Sequence, residues 1–259
     1  PLINISHRKD VRLRIFEPDL KDGRNNVSKI LNLTSSNTKL IFLSIVTCTT
    51  GQLLPIEEII HEAHKRGILV ALDGAQCTGS RALKLADWDV DFYASGGQKW
   101  LLGPKRTGLL YIKEEHLDLI TPTTVGAYSE NGYDILQNQI DWAADATRYE
   151  FGTQNDSLFH GLFKSVNFLS TLGFDAIQEH NENLAERLYD GLKEISGVYI
   201  ISPEEREYRT SIISFGLESV DYKKLSSELS KKGFRVRVVT EAGLSAVRVS
   251  FHVYNSEEE

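Results

Sequence analysis

The sequence predicts an α/β fold with a mainly parallel sheet, because strand and helix patterns alternate along its first half. The run KLIFLSIV, residues 39–46, is apolar and β-branched, which is typical of a strand buried on both faces. The helix pattern PIEEIIHEAHKRG follows, with acidic residues early, basic residues late and Gly67 at its end. Three more strand patterns continue the alternation: ILVALDG (68–74), VDFYAS (90–95) and TGLLYI (107–112).

The second half begins with two long helical patterns, DSLFHGLFKSVNFLSTLG and FDAIQEHNENLAERLYDGLKEI, which meet at Gly173. Strand patterns GVYIIS, TSIISFGL, FRVRVV and AVRVSFHV come next, with the helix pattern DYKKLSSELSKKG among them. We therefore expect a large domain at 1–154, connecting helices at 155–196 and a small C-terminal α+β domain at 197–259.

The composition argues against several classes of function. The chain has 259 residues, 41% of them hydrophobic, and a net charge of −7, whereas a nucleic-acid-binding protein normally has a basic face. No apolar run approaches the roughly 20 residues of a membrane span. Cys48 and Cys77 are too few for a disulfide framework or a metal-ligand cluster, so we expect a cytoplasmic protein without a metal. The lack of methionine and the start at Pro1 indicate an incomplete sequence.

Polar residues follow the ends of two neighbouring predicted strands, where ligands gather in parallel sheets. Asp73 ends one strand with Gln76 three residues later, and Ser95 ends the next strand shortly before Lys99. This set suits pyridoxal phosphate, because the lysine amine forms a Schiff base with its aldehyde and the carboxylate keeps its pyridine nitrogen protonated. Structural alternatives stay open: Asp73 as a helix N-cap, and Gln76 and Lys99 as solvated side chains.

Four segments resemble the class V aminotransferase family of pyridoxal-phosphate enzymes: HKRGILVALDGAQCTGS, DWDVDFYASGGQKWLLGPKRTGLLYI, RYEFGTQN and VRVSFHVYNSEEE. The family includes cysteine desulfurases, selenocysteine lyases, cysteine/cystine C–S lyases and isopenicillin N epimerase. The resemblance covers nearly the whole chain. It implies fold-type I, with a seven-stranded-type sheet, helices on both faces, the cofactor in the large domain, and a homodimer.

The resemblance also implies roles for the residues around the cofactor ring and the substrate. Lys99 would be the Schiff-base lysine, and Asp73 would pair with the pyridinium nitrogen. Gln76 would bond the phenolic oxygen of the cofactor. Arg248 would pair with the α-carboxylate of an amino-acid substrate, for which its planar fork is suited, although its alternating strand pattern also fits a surface charge.

The phosphate of the cofactor has a second set of implied ligands. Gln98 would reach it, and Thr153 in EFGTQN would contact the phosphate of the neighbouring subunit, unless Thr153 is an ordinary turn residue. Family members usually carry serine three positions before the lysine, where this chain has Gly96. Ser95, one residue earlier, is the nearest hydroxyl and a further expected phosphate ligand. The family's upstream part, with its phosphate loop and ring-stacking residue, is absent from this sequence.

The positions of the cysteines indicate which of the family's reactions to expect. Desulfurases use a thiolate on a loop of the small domain, and the span between Arg237 and Arg248 contains no cysteine. We therefore favour a C–S lyase that catalyses β-elimination from cysteine-like amino acids, with Lys99 as general base. Three alternatives remain: an amino-acid epimerase like isopenicillin N epimerase, an aminotransferase, and a catalytically silent member that keeps the fold for dimerisation or binding.

Overall fold

The computed structural model describes residues 2–259. Its helices are α1 (Leu2–Arg8), α2 (Asn25–Asn32), α3 (Ile56–His64), α4 (Asp156–Leu172), α5 (Phe174–Lys193) and α6 (Tyr222–Lys231). Its strands are β1 (Leu40–Ser44), β2 (Leu69–Asp73), β3 (Phe92–Gly96), β4 (Gly108–Ile112), β5 (Glu130–Asp134), β6 (Gln139–Trp142), β7 (Val198–Ile200), β8 (Ile212–Leu217), β9 (Arg237–Val239) and β10 (Ala246–Ser250). Short 3₁₀ helices lie at Glu114–Leu119, Ala146–Tyr149, Arg206–Tyr208 and Glu241–Gly243. None of the described helices combines the length and the apolar character that crossing a bilayer requires.

The chain forms two compact units, each drawn from separate stretches of sequence. The first unit contains the residues up to Ile41, Thr47–Leu69 and Ala185–Ser250. The second unit contains Phe42–Val46, Val70–Leu184 and Phe251–Glu259. The domain limits expected from the sequence, at 154 and 196, stay a prediction.

The sheet of β1 to β4 carries the strand ends at which the sequence predicts a site. Its strand order is β1-β2-β3-β4. β2 and β3 are parallel, with Leu72 opposite Tyr93 and Asp73 opposite Ala94, whereas β4 is antiparallel to β3. The α/β class predicted from the alternating patterns is confirmed. The described residues supply four strands of the implied seven-stranded-type sheet.

The prediction that β1 is buried on both faces is wrong. Ile41 and Leu43 are buried, but the alternate residues Leu40 and Phe42 are 47% and 49% exposed. β4 is likewise exposed from its first residue to Tyr111. Successive side chains of a strand point to opposite faces of a sheet. Within residues 2–259, therefore, only one face of β1 is covered.

A buried aspartate joins β2 and β3 in the second unit. Asp91 is 1% exposed and directly precedes β3. One of its carboxylate oxygens, Oδ2, accepts a hydrogen bond from the Val70 backbone N–H at 2.7 Å. The other, Oδ1, lies 2.7 Å from Nε2 of the buried His116. A buried carboxylate is tolerated only when it is hydrogen-bonded, and here the bond to Val70 ties β2 to the start of β3 while His116 satisfies the second oxygen.

The first unit contains an antiparallel sheet with strand order β7-β8-β10-β9. α6 packs on β8, β9 and β10, with Leu225 buried on its inner side. Asp221 caps the start of α6 by accepting hydrogen bonds from the N–H groups of Lys223 and Lys224, at 2.9 and 3.2 Å. These elements correspond to the α+β patterns read from the sequence after residue 197.

Replacement of the buried aspartate tests its role in the sheet. We expect Asp91→Ala to lower the free energy of unfolding by about 2–4 kcal/mol, because the Val70 N–H loses its buried acceptor. Asp91→Asn keeps an oxygen acceptor at that position and is expected to cost less than half as much. Urea unfolding of both variants measures the effect, and equal losses for the two variants would contradict the assignment.

Candidate active site

Lys99 lies in a closed loop that follows β3. The Gly97 N–H donates to the Thr107 carbonyl and the Gly103 N–H donates to the Gly97 carbonyl, both at 2.9 Å. Inside this ring the Leu102 N–H donates to the Lys99 carbonyl at 3.0 Å, and Leu102 has a φ of 57°. The backbone bonds therefore define the loop, and the side chain of Lys99 is exposed.

Helix α4 packs against this loop. Leu101 belongs to a buried cluster with Leu162 and Leu169 of α4 and with Ile177 of α5. A Cβ atom at Gly103 would lie 2.7 Å from Leu162 Cδ1 and 2.8 Å from the Gly97 carbonyl oxygen. Such distances leave no room for a side chain, so the glycine is required for the close approach.

Asp73 lies at the C-terminal end of β2, beside the loop. Its Oδ1 accepts a hydrogen bond from the Ala75 N–H at 2.8 Å, and the Gly74 N–H donates to the Ala94 carbonyl at 2.8 Å. Because Asp73 and Ala94 are opposite each other in the parallel ladder, their side chains share one face of the sheet, here called the Asp73 face. The Asp73 side chain is half-buried, and its hydrogen bond with the Ala75 N–H stabilises the turn that leads to Gln76.

Gln76 contacts the residue that follows Lys99. The Trp100 indole Nε1–H donates to Gln76 Oε1 at 3.1 Å. Trp100 itself is 7% exposed, whereas Gln76 is half-buried. The hydrogen bond thus connects the segment after β2 to the lysine loop after β3.

Gln98 occupies the space that a side chain at position 96 would need. A Cβ atom on Gly96 would lie 2.8 Å from Gln98 Oε1 and 3.0 Å from Gln98 Nε2. Gly96 is two residues beyond Ala94 and therefore shares the Asp73 face. The carboxamide of Gln98 lies on that face, above the glycine that replaces the serine of the family pattern.

Ser95 points to the opposite face of the sheet. Alternation along β3 places it with Tyr93 and away from Ala94 and Gly96. It is 8% exposed, and its Oγ is buried. Tyr93 also bonds the Thr78 hydroxyl on that side. The shift of the serine by one residue therefore removes its hydroxyl from the face that carries Asp73 and Gln98.

The remaining two predicted residues belong to other segments of the chain. Thr153 is exposed in the second unit, between the 3₁₀ helix Ala146–Tyr149 and α4. Arg248 belongs to β10 in the first unit. The residues that the structure gathers at the ends of β2 and β3 are Asp73, Gln76, Ser95, Gln98 and Lys99.

Arg248 is anchored through one nitrogen. Its Nη1 donates to the Cys48 carbonyl at 2.6 Å, and its Nε is buried without a hydrogen-bond partner. Burial lowers the pKa of the guanidinium, and the neighbouring cation Arg237, its partner on β9, lowers it further. An arginine nevertheless stays charged at neutral pH. A buried, charged N–H without a partner is suited to an anionic ligand.

The segment that anchors Arg248 is itself held by hydroxyl groups of the first unit. The carbonyls of Thr49, Thr50 and Gly51 accept hydrogen bonds at 2.6, 2.7 and 2.7 Å, in a series that continues the bond at Cys48. Their donors are the side-chain hydroxyls of Ser214, Ser202 and Thr210, respectively. Four successive carbonyls are therefore fixed, which gives Arg248 a rigid support.

Two contacts near the lysine are not predicted by the sequence. The hydrogen bond between Trp100 and Gln76 gives no sequence signal, since the two residues are far apart in the chain. His252 is buried, and its Nε2 lies 2.7 Å from the Trp100 carbonyl oxygen. Burial lowers the pKa of His252 and so favours its neutral form.

Cys77, which directly follows Gln76, is chemically inert in this structure. Cys77 is fully buried, and burial raises the pKa of its thiol to about 12. Only the thiolate is a nucleophile. Cys77 therefore cannot attack a substrate at neutral pH.

Comparison with known proteins identifies the family of the chain. The Aminotransferase class-V family profile matches residues 1–259. The chain is 32% identical to a cysteine desulfurase of Haloferax volcanii over 98% of its own length and 61% of that protein. It is 30% identical to a probable cysteine desulfurase of Staphylococcus epidermidis over its full length and 64% of that protein. The chain belongs to the class V aminotransferase family.

Solved structures extend the similarity to the fold. A complex of the cystine C–S lyase C-DES with its reaction product cysteine persulfide matches 99% of this chain and 68% of the lyase, with a TM-score of 0.88 and 25% identity. A C-DES mutant with glycine covalently linked to its pyridoxal-phosphate cofactor gives a TM-score of 0.85 at 25% identity, over 99% of this chain and 67% of the mutant. The chain spans about three-fifths of the length of the curated relatives it matches.

The close contact at Gly103 gives a testable prediction. We expect Gly103→Ala to lower the free energy of unfolding by about 1–3 kcal/mol, because the added methyl group meets a backbone carbonyl that cannot move aside. Gly191→Ala in α5 is the matched control: its Cβ meets nothing within 4 Å, so it should raise stability by about 0.5–1 kcal/mol. Thermal and urea unfolding measure both, and a neutral Gly103→Ala would show that the loop is not tightly packed.

Proposed function

We propose that the protein is a pyridoxal-phosphate-dependent enzyme that cleaves the C–S bond of a cysteine-like amino acid by β-elimination. The observation that carries the proposal is the gathering of Lys99, Asp73, Gln76 and Gln98 at the ends of two parallel strands. Family membership and the cysteine desulfurase relatives support it. The similarity to a cystine C–S lyase favours elimination among the reactions of the family.

The side chains at the strand ends fit this cofactor chemically. The exposed amine of Lys99 would bond to the aldehyde carbon, and the Asp73 carboxylate would pair with the pyridine nitrogen. Gln76 would donate its amide N–H to the phenolic oxygen. The Gln98 amide, over Gly96, would bind the phosphate in place of the family serine. When bound, the cofactor withdraws electrons from the α-carbon of the substrate.

Two residues of this chain would then act on the substrate, one by binding its carboxylate and the other by accepting a proton. Arg248 would bind the α-carboxylate through the Nε–Nη2 edge of its guanidinium, since Nη1 is already bonded to Cys48. Lys99 Nζ would take the α-proton as general base. The bond from the β-carbon to sulfur then breaks, and the sulfur leaves as a thiol or persulfide that takes up a proton.

Two features separate this proposal from desulfuration through an enzyme thiolate. The loop from Thr240 to Ser245, between β9 and β10, contains no cysteine. Cys77 is buried with a pKa of about 12. Neither feature supports transfer of sulfur to a protein thiol, so we propose that the sulfur is released from the site.

We further propose that the enzyme is a cytoplasmic homodimer in which Thr153 binds the phosphate held by the neighbouring subunit. The exposure of Thr153 supports this role, as does the exposure of Phe151 beside it and of Phe159 and Phe163 on α4. The free cysteines Cys48 and Cys77 support a reducing compartment. Sedimentation of the full-length protein tests the dimer, which a monomer at micromolar concentration would contradict.

The decisive experiment on the reaction uses the full-length protein loaded with pyridoxal phosphate. We expect release of pyruvate and of sulfide or persulfide from cysteine or cystine. We also expect a near-visible absorption band. In Lys99→Ala this band should disappear and the activity should fall by at least about 10²-fold. Incorporation of solvent deuterium at the α-carbon without elimination would identify an epimerase or aminotransferase instead. A protein that takes up no cofactor would be a silent member of the family.

The pairing of Gly96 with Gln98 gives a second prediction. In Gly96→Ala the added methyl group displaces the end of the flexible Gln98 side chain without bringing a new donor, so stability should change by less than about 1 kcal/mol. Cofactor affinity should fall by about fivefold to tenfold, because one hydrogen bond to the phosphate is worth about 1–1.5 kcal/mol. Gly132→Ala, at a site where a Cβ meets nothing within 4 Å, is the control. Fluorescence titration with pyridoxal phosphate measures the affinity, and an unchanged value would exclude Gln98 as a phosphate ligand.

A further inference from the structure

The orientation of the Gln76 amide is determined by its neighbour. An indole N–H can only donate a hydrogen bond, so the atom of Gln76 that faces Trp100 must be the oxygen. The structure places Oε1 there, 3.1 Å from Trp100 Nε1. The NH₂ group of Gln76 is consequently turned away from Trp100. The amide therefore presents donors, and no acceptor, to whatever lies on its other side.

Trp100 is in turn held from two directions. Its carbonyl oxygen lies 2.7 Å from His252 Nε2, and the two rings meet edge to face with centroids 5.3 Å apart. A carbonyl can only accept, so Nε2 of His252 carries the proton. His252 Nδ1, then the unprotonated nitrogen of a neutral imidazole, is buried without a hydrogen-bond partner. Tyr254 packs on the far side of His252, with ring centroids 5.6 Å apart.

From this geometry we infer that Trp100 is a positioning residue that holds Gln76 as a hydrogen-bond donor to the phenolic oxygen of the cofactor, and that His252 holds Trp100 in place. The inference rests on the proposed function. It assigns a role to the aromatic residue next to the lysine that packing alone would not require. Phenylalanine would fill a similar volume but would leave the amide free to turn.

The consequence appears in the titration of the bound cofactor. A donor at the phenolic oxygen favours the deprotonated form of the chromophore. An amide that turns its oxygen inward disfavours that form. We therefore expect Trp100→Phe to raise the pH midpoint of the near-visible absorption band by about 0.5–1 pH unit in the loaded full-length protein. Trp142→Phe, a half-buried tryptophan on β6 outside this group, should leave the midpoint unchanged.

A double-mutant cycle separates positioning from general loss of structure. Gln76→Leu should raise the midpoint by at least as much as Trp100→Phe, and the double variant should show no shift beyond that of Gln76→Leu. His252→Leu should reproduce part of the shift, and His252→Gln, which retains an N–H donor, should restore the wild-type midpoint. A Trp100→Phe protein with lower stability but an unchanged midpoint, or a fully additive double variant, would overturn the inference.

A cofactor-free measurement tests the hydrogen bond itself. The indole N–H resonance of Trp100, assigned by its loss in Trp100→Phe, should shift upfield in the ¹H dimension in Gln76→Leu. No shift would overturn the inference. In the loaded protein, a near-visible band that persists in Lys99→Ala would overturn the proposed function, whereas a Lys99-dependent band with an unchanged midpoint in Trp100→Phe would overturn only the positioning role. A wild-type protein without any band would overturn both.

Discussion

The hydrogen bond from the Gly103 N–H to the Gly97 carbonyl closes the loop on which the candidate site depends. It brings the ends of the segment so close that neither glycine can carry a side chain against Leu162. This closure sets the positions of the residues between the two glycines. Gln98 then lies over Gly96, Lys99 is exposed, and Trp100 contacts Gln76. The chemistry of the site therefore follows from a packing constraint several residues away from any reactive atom.

Much of the architecture could be predicted from local patterns. Helices α4 and α5 and the strands β2, β3, β8 and β10 fall where hydrophobic spacing and turn residues place them. The burial of β1 could not be predicted in this way, because an apolar run looks the same whether one face or both faces are covered. The direction of β4 was also beyond sequence reasoning. Local patterns predict where a strand lies but not the direction in which it pairs, and β4 pairs with β3 in the antiparallel sense.

The candidate site was predicted as a set of residue types, and its geometry was not. Asp73, Gln76, Gln98 and Lys99 could be selected because polar residues follow strand ends in the pattern of a known family. The shift of serine from position 96 to 95 was visible in the sequence, but its consequence depends on the alternation of β3. The contacts of Trp100 with Gln76 and His252 join segments that are distant in the chain, and no local pattern reports such contacts.

The arrangement of Gly96 and Gln98 also constrains how this site could have diverged from its relatives. With Gln98 in its present position, a serine at 96 has no place for its side chain unless the amide moves. The two positions are therefore epistatic: the effect of a change at one depends on the residue at the other. If glycine replaces serine at position 96 before glutamine appears at position 98, the intermediate has free space beside position 96. If glutamine appears first, the intermediate holds two side chains that clash. The steric conflict thus constrains the order in which the two positions can change.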